Sequence, residues 1–313
     1  MERSTLIRAV GADWRRLRRR WDVWLLSGLC IAAVAVLYFG QYLAAIEQMG
    51  IGAAGSWGPV PTGGEPPPRE FLSAMLALRG PFAFPQSLLT SLQFAWLVGP
   101  VAAYAAIATI GADFGWGTVR TNILATGSRS AFLLARLLLV SMLVVALLGA
   151  IALVAVVEQL VLAFTGERFP TVELSVATLI GVVAIDLLAA VGWAVLGTVC
   201  TVIARSLTGG FVLTLGFLAI DSAASTASWP VPLGPLRELT FLGSVGSTLD
   251  QIVPRASLTV FDYDLQQLVV APHQLELITH FVAAPILAMV ALAWVLAGLT
   301  IAVWRFGRMD VLE

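Results

Sequence analysis

Few side chains in this 313-residue chain could do covalent chemistry, and their types exclude more than they allow. All 18 basic residues are arginine. Without lysine the chain cannot build a phosphate-binding P-loop, whose lysine must reach the terminal phosphates, nor a serine-lysine dyad. Neither HExxH nor GxSxG occurs, so the zinc-protease and serine-hydrolase arrangements are excluded. His273 and His280 stand alone, with no cysteine and no clustered carboxylate at ligand spacing beside them. That pattern suits interfacial polar residues better than a metal site. Cys30 and Cys200 fall inside apolar runs, where packing is their plain role. The expectation is a chain that is not an enzyme and holds no cofactor or metal.

Two groups of polar residues remain. Glu158, Asp186 and Asp221 lie within apolar runs, where an ionisable group is costly and is a candidate for function by default. Asp186 falls nearest the middle of its run. The second group is the stretch from Gly111 to Arg136, GADFGWGTVRTNILATGSRSAFLLAR, which interrupts two apolar runs. It carries Asp113, then Gly117, Thr118, Val119 and Arg120, then Ile123, then Gly127, Ser128 and Arg129. Glycines at 111, 115, 117 and 127 predict a short helix from about Thr118 to Thr126 with a break on either side. Val119, Ile123 and Leu124 would share one face, and Arg120 would point elsewhere. Such an amphipathic peg suits a partner's groove.

The elements that must carry these residues follow from composition. Hydrophobic residues make up 59% of the chain and charged residues 12%, and mean hydropathy is +0.91, values beyond ordinary soluble domains. Apolar runs at 23–46, 86–110, 132–164, 173–203, 207–228 and 277–303 each reach the ~20 residues that a crossing helix needs. The fold class expected is therefore an all-α polytopic membrane protein, one transmembrane domain over 1–313, with six transmembrane helices and a cytoplasmic loop at 111–131.

Residues 1–22 predict an amphipathic interfacial helix. Leu6, Ile7, Val10, Trp14, Leu17 and Trp21 recur at helical spacing, and Arg8, Arg15, Arg16, Arg18, Arg19 and Arg20 fill the rest. A basic run abutting a span sets topology and meets membrane lipids, each arginine contributing ~1 kcal/mol near an anionic surface. Nucleic acid is not the expected partner. The external segments 47–85 and 229–276 are broken by proline and glycine, with a short helix expected at about Glu70–Leu78 in the first and short helices or turns in the second. Ala102, Ala103, Ala105, Ala106 and Ala108 in the second run predict close helix packing, and Pro285 predicts a kink in the sixth.

The order acid, Gly-Thr, hydrophobe, Arg, then Gly-Ser-Arg and a later base resembles the cytoplasmic coupling loop of permease subunits of ABC-2 type ABC transporters. Asp113, Gly117, Thr118, Arg120, Gly127, Ser128, Arg129 and Arg136 occupy the matching positions, with Asp113 where that family often has Glu and Arg136 where it often has Lys. The resemblance implies a permease subunit of an ATP-driven exporter, an elbow helix at the N-terminus, and a translocation path between two such subunits, identical or paralogous. It also implies a separate ATPase dimer that binds ATP and Mg and receives the loop. On that reading Val119 and Ile123 seat in the ATPase, while Asp113, Arg120 and Arg129 bond to its rim or brace the loop against itself. The alternatives are a proton-coupled secondary transporter using Asp186, and a membrane anchor or assembly subunit that transports nothing.

Arginine distribution orients the chain. Thirteen arginines fall with the termini and the 111–131 stretch, and five on the other side, so the positive-inside rule places both termini and that loop in the cytoplasm. The absence of lysine fits a high-GC coding bias, and so a bacterial inner membrane as the expected location. In intact cells a Gly64→Cys variant is expected to react with an impermeant thiol reagent and Thr126→Cys is not. The reverse pattern would overturn the topology.

Overall fold

The computed structural model describes residues 3–55, 82, 84–126, 128–165, 175–227, 237–252 and 284–309, and these are all helix and short connections. In chain order the helices are α1 (Arg3–Arg18), α2 (Trp21–Gly55), α3 (Gln86–Leu92), a 3-10 turn (Gln93–Leu97), α4 (Val98–Gly115), α5 (Val119–Thr126), α6 (Arg129–Thr165), α7 (Val176–Ala204), α8 (Leu207–Ala227), α9 (Phe241–Ile252) and α10 (Ala284–Gly307). Six stretches are long and apolar enough to cross a membrane: Trp21–Ala44, Gln86–Gly115, Arg129–Val161, Val176–Ala204, Leu207–Ser225 and Ala284–Gly307. They coincide with the six apolar runs to within a few residues at each described end.

The second span, from α3 through α4, is the axis of the bundle. In its most apolar window 78% of the residues are buried, against 17% for α8 and 22% for α10. Small side chains make this possible. Ala102, Ala103, Ala105, Ala106 and Ala108 are all buried, and α7 lies so close that a Cβ added at Gly197 would sit 2.8 Å from the Ala103 carbonyl oxygen. Close backbone approach is what small residues permit where lipid supplies no hydrophobic drive between helices. Hydroxyls within the bundle are satisfied along their own helices: Thr109, Thr198, Thr201 and Thr214 each donate to the carbonyl four residues back. Outward, α2, α8 and α10 present Val36, Phe211, Val212, Ile220, Met289 and Leu296, all exposed.

One expectation changes. Gly111 and Gly115 do not break the second span, since α4 runs through both. Gly111 is needed for contact, because a Cβ there would meet the Cα of Leu207, the first residue of α8, at 2.7 Å. The break comes at Gly117, whose φ is +65°. The Thr118 amide donates to the Asp113 carbonyl at 3.0 Å and the Gly117 amide to the Phe114 carbonyl at 3.3 Å, the paired bonds of a Schellman helix end. The short helix then starts at Val119. Pro285 lies in the first turn of the described part of α10, and any kink there involves residues outside the described ones. The Glu70–Leu78 helix, Gly127, His273 and His280 also lie outside them.

The glycines in α4 give a matched pair. Gly115 has nothing within 4 Å of an added Cβ. Gly115→Ala is expected to be neutral or stabilising, by up to ~1 kcal/mol of helix propensity. Gly111→Ala must push α8 off α4 and is expected to cost ~1–3 kcal/mol, as overpacking does. Thermal unfolding in detergent checks both, and equal effects would show that α4 and α8 are not in this contact.

Candidate functional site

The polar residues of the 111–136 stretch come together at one end of the bundle, around Asp113. The last turn of α4 carries it, and its side chain is buried at 3% residue exposure. Arg136 reaches it from the second turn of α6, its Nη2 donating to Asp113 Oδ2 at 2.6 Å. The other carboxylate oxygen, Oδ1, accepts from Thr118 Oγ1 at 2.9 Å and from Asn122 Nδ2 at 3.0 Å. Thr118 and Asn122 belong to the turn and the short helix that follow, so the carboxylate closes a loop onto itself.

The N-terminal helix joins the same network. Arg16 Nη1 lies 3.7 Å from Asp113 Oδ1, and Arg16 Nη2 donates to Asn122 Oδ1 at 3.2 Å. Asp13 of the same helix lies 3.1 Å from Arg136 Nε, close enough for an ion pair although not aligned for a hydrogen bond. Burial pushes the Asp13 carboxyl above its ordinary pKa, while Arg136 and Arg16 pull it back. Arg136 also stacks over Phe132 at 5.2 Å. Two carboxylates and two guanidiniums thus join α1, α4, α5 and α6, with opposite formal charges in balance and both acids engaged by arginine.

Arg129 serves a different junction. Its Nη1 donates to the carbonyls of Phe306, Gly307 and Met309 at 3.2, 2.5 and 2.8 Å, capping the end of α10 where carbonyls lack helical partners and the dipole favours a cation. Ser128 is the N-cap of α6, its Oγ accepting from the Ala131 amide at 3.1 Å. Arg129 and Ser128 therefore hold the beginning of α6 against the end of α10.

The short helix faces the opposite way from the expectation. Val119 is buried with Ile110, Phe132, Leu133 and Phe306, and Ile123 packs against the same cluster. These two residues share a face at i and i+4, and that face is turned into the chain's own core. Leu124, one position further round, is 74% exposed and Trp116 is 71% exposed. Arg120 and Thr121 are exposed beside them. The surface offered to a partner is Trp116, Arg120, Thr121 and Leu124.

The three acids in apolar runs lie apart from this cluster and differ in their surroundings. Asp221, buried in α8, accepts from the Phe241 and Leu242 amides at 3.2 and 3.1 Å, so it caps the start of α9 as a carboxylate does best. Glu158 in α6 is close enough to Tyr38 of α2 to interact with it, and among the described residues neither its oxygens nor the Tyr38 hydroxyl has a hydrogen bond of good geometry. Asp186 in α7 is 4% exposed, and its Oδ2 has no partner among the described residues.

Sequence reasoning did not single out Asp13, Arg16 or Asn122 as members of the cluster. One signal was present: Asp13 is an isolated acid inside an arginine-rich amphipathic helix, three residues ahead of Arg16, and an acid kept there asks for a cationic partner.

A buried ion pair that loses one member leaves an unpaired charge. Asp113→Ala and Arg136→Met are each expected to cost ~3–5 kcal/mol, while the double variant Asp113→Leu/Arg136→Met recovers much of the loss. Unfolding in detergent would read this, and additive losses would mean that the pair is not coupled. Such measurements on the chain itself matter the more because no family model, curated protein or solved structure matches it.

Proposed function

We propose that the chain is the membrane-spanning permease subunit of an ATP-driven exporter of ABC-2 type. On this reading it sits in a bacterial inner membrane with both termini cytoplasmic and α1 lying as an interfacial elbow. A second permease subunit, the same or paralogous, encloses the translocation path with it, and a separate ATPase dimer supplies energy. The carrying observation is that α5, a short helix with exposed Arg120 and Leu124 that follows the exposed Trp116 at the end of α4, is tied through Asp113 to α1, α4 and α6. A partner that grips α5 would move the ends of two spans and the N-terminal helix with it. That is the mechanical need of a subunit that switches between inward-open and outward-open packings.

On this reading the residues around the motif have two roles. Asp113, Thr118, Arg136 and Arg129 hold the end of the bundle together, and Val119 and Ile123 anchor α5 to it. Arg120, with Leu124 and Trp116, is left to contact the ATPase, through a charge-assisted bond and apolar cover.

Asp186 favours a second reading, proton-coupled transport, because a buried carboxyl oxygen in a span without a partner among the described residues is what a proton carrier requires. Asp186→Asn separates the two: ATP-driven transport tolerates the loss of charge, and a proton-coupled carrier stops.

In a reconstituted complex Arg120→Ala/Leu124→Ser is expected to weaken ATPase binding about tenfold or more, since contact residues of this kind contribute ~1–2 kcal/mol each. Unfolding temperature should not change, because both side chains are exposed. Copurification of the ATPase and substrate-stimulated hydrolysis are the measurements. Normal binding and transport would remove α5 from the coupling role.

A further inference from the structure

Between α1, the end of α4 and α6 lies a cavity of about 330 Å³. Arg16, Arg19, Arg20 and Arg136 line it, with Asp113 as the one acid in its wall. Arg16 and Arg136 are balanced by Asp13 and Asp113. Arg19 and Arg20 take part in no ion pair among the described residues, and the buried Nη1 of Arg20 has no hydrogen-bond partner there. A buried guanidinium nitrogen left unbonded forfeits the full cost of its desolvation, so the pocket calls for an acceptor. Its floor is Ala108, Thr109 and Ala112, small side chains that leave the space open.

The depth of the pocket narrows the choice of acceptor. Arg19 and Arg20 immediately precede Trp21, where the first span begins. Trp14, Trp21, Trp24 and Trp116 are all exposed around this level, and Trp14 meets Trp24 edge to face at 6.1 Å. Tryptophans at one level beside arginines mark the headgroup layer of a membrane. A volume of about 330 Å³ is roughly ten times the ~30 Å³ of one water molecule, enough for a phosphate group with part of its headgroup.

We propose that this cavity is a discrete site for the phosphate of an anionic membrane lipid, gripped by Arg19 and Arg20 with Arg16 beside them. The lipid fastens α1 against α4 and α6 beside the Asp113–Arg136 pair, which lines the same cavity. The inference rests on the membrane placement of the chain and is independent of the ATP-driven reading. Planar guanidiniums suit the oxygens of a phosphate diester, and no other acceptor of that chemistry lies at this depth of a bilayer.

The test uses the full chain in neutral detergent, titrated with short-chain phosphatidylglycerol and, in parallel, with phosphatidylcholine of the same chain length. Native mass spectrometry counts retained lipid and unfolding temperature reports its effect. One phosphatidylglycerol per chain and a saturable rise in unfolding temperature are expected, with phosphatidylcholine much weaker. Arg19→Gln/Arg20→Gln should weaken the binding about tenfold or more. Ala112→Leu, which fills the pocket and keeps every charge, should do the same. Arg15→Gln/Arg18→Gln, which removes two exposed arginines outside the pocket, should leave the binding unchanged. Equal loss in both arginine pairs, or full binding in Ala112→Leu, would overturn the discrete site in favour of diffuse attraction to the surface. Inorganic phosphate or glycerol phosphate acting at the same concentration as phosphatidylglycerol would overturn the lipid assignment.

Discussion

The Asp113–Arg136 pair is the constraint on which this end of the molecule depends. Both side chains are almost wholly buried, and removing two charges from water costs several kcal/mol each unless the remaining lone pairs and protons are met. That requirement dictates the neighbours. Asp113 needs donors on its second oxygen, and Thr118 and Asn122 supply them only if the chain reverses at once after α4. The left-handed Gly117 provides the reversal. With Thr118 and Asn122 turned to the carboxylate, Val119 and Ile123 are brought onto Ile110, Phe132 and Phe306. Nε of Arg136 draws in Asp13, and with it α1. The apolar packing and the polar network therefore specify one placement of α5.

Much of this architecture is legible in the sequence because the signal for a spanning helix is long and redundant. Twenty apolar residues in a row leave little freedom of interpretation, and each of the six runs appears as such a helix. The small residues of α4 are legible for the same reason, since five alanines along one span have no better use than close packing. What was not legible depends on contacts between distant segments. Gly111 reads as a helix breaker by composition, and only the position of Leu207 reveals it as a contact point. The periodicity of α5 shows that Val119 and Ile123 share a face but is silent on which neighbour that face meets. Asp13 lies 100 positions from Asp113 in the chain, too far for any local pattern to join them.

The three acids in apolar runs show how little residue type alone decides inside a bundle. Asp221 has the composition of a functional carboxylate and the surroundings of a cap, with two amides of α9 on its two oxygens. Its cost is offset by a helix start that would otherwise lack acceptors. Asp186 has no such compensation at Oδ2 among the described residues. The two differ in what meets their oxygens, since the first amides of α9 reach Asp221 and no described donor reaches Asp186 Oδ2. Intramembrane carboxylates with complete hydrogen bonding can be structural, and those without it hold free energy that protonation, a ligand or a change of packing would release.

A rigid α5 also changes what a partner at this end could accomplish. A partner shifts a conformational equilibrium only by the difference in its affinity for the two arrangements. If α5 were a loose loop, the pull of a partner would be absorbed by loop motion and the spans would experience little of it. Because Asp113, Thr118 and Asn122 join α5 to α4, and Arg136 joins α4 to α6, displacement of α5 without its neighbours requires breaking a buried charged network. Sliding α1, α4, α5 and α6 together keeps those bonds and gives up mainly apolar contacts with the other helices, along with the bonds of Arg129 at the exposed end of α10. The cheaper response to force on α5 is therefore movement of the spans, and the buried pair that fixes the static structure also determines where such force goes.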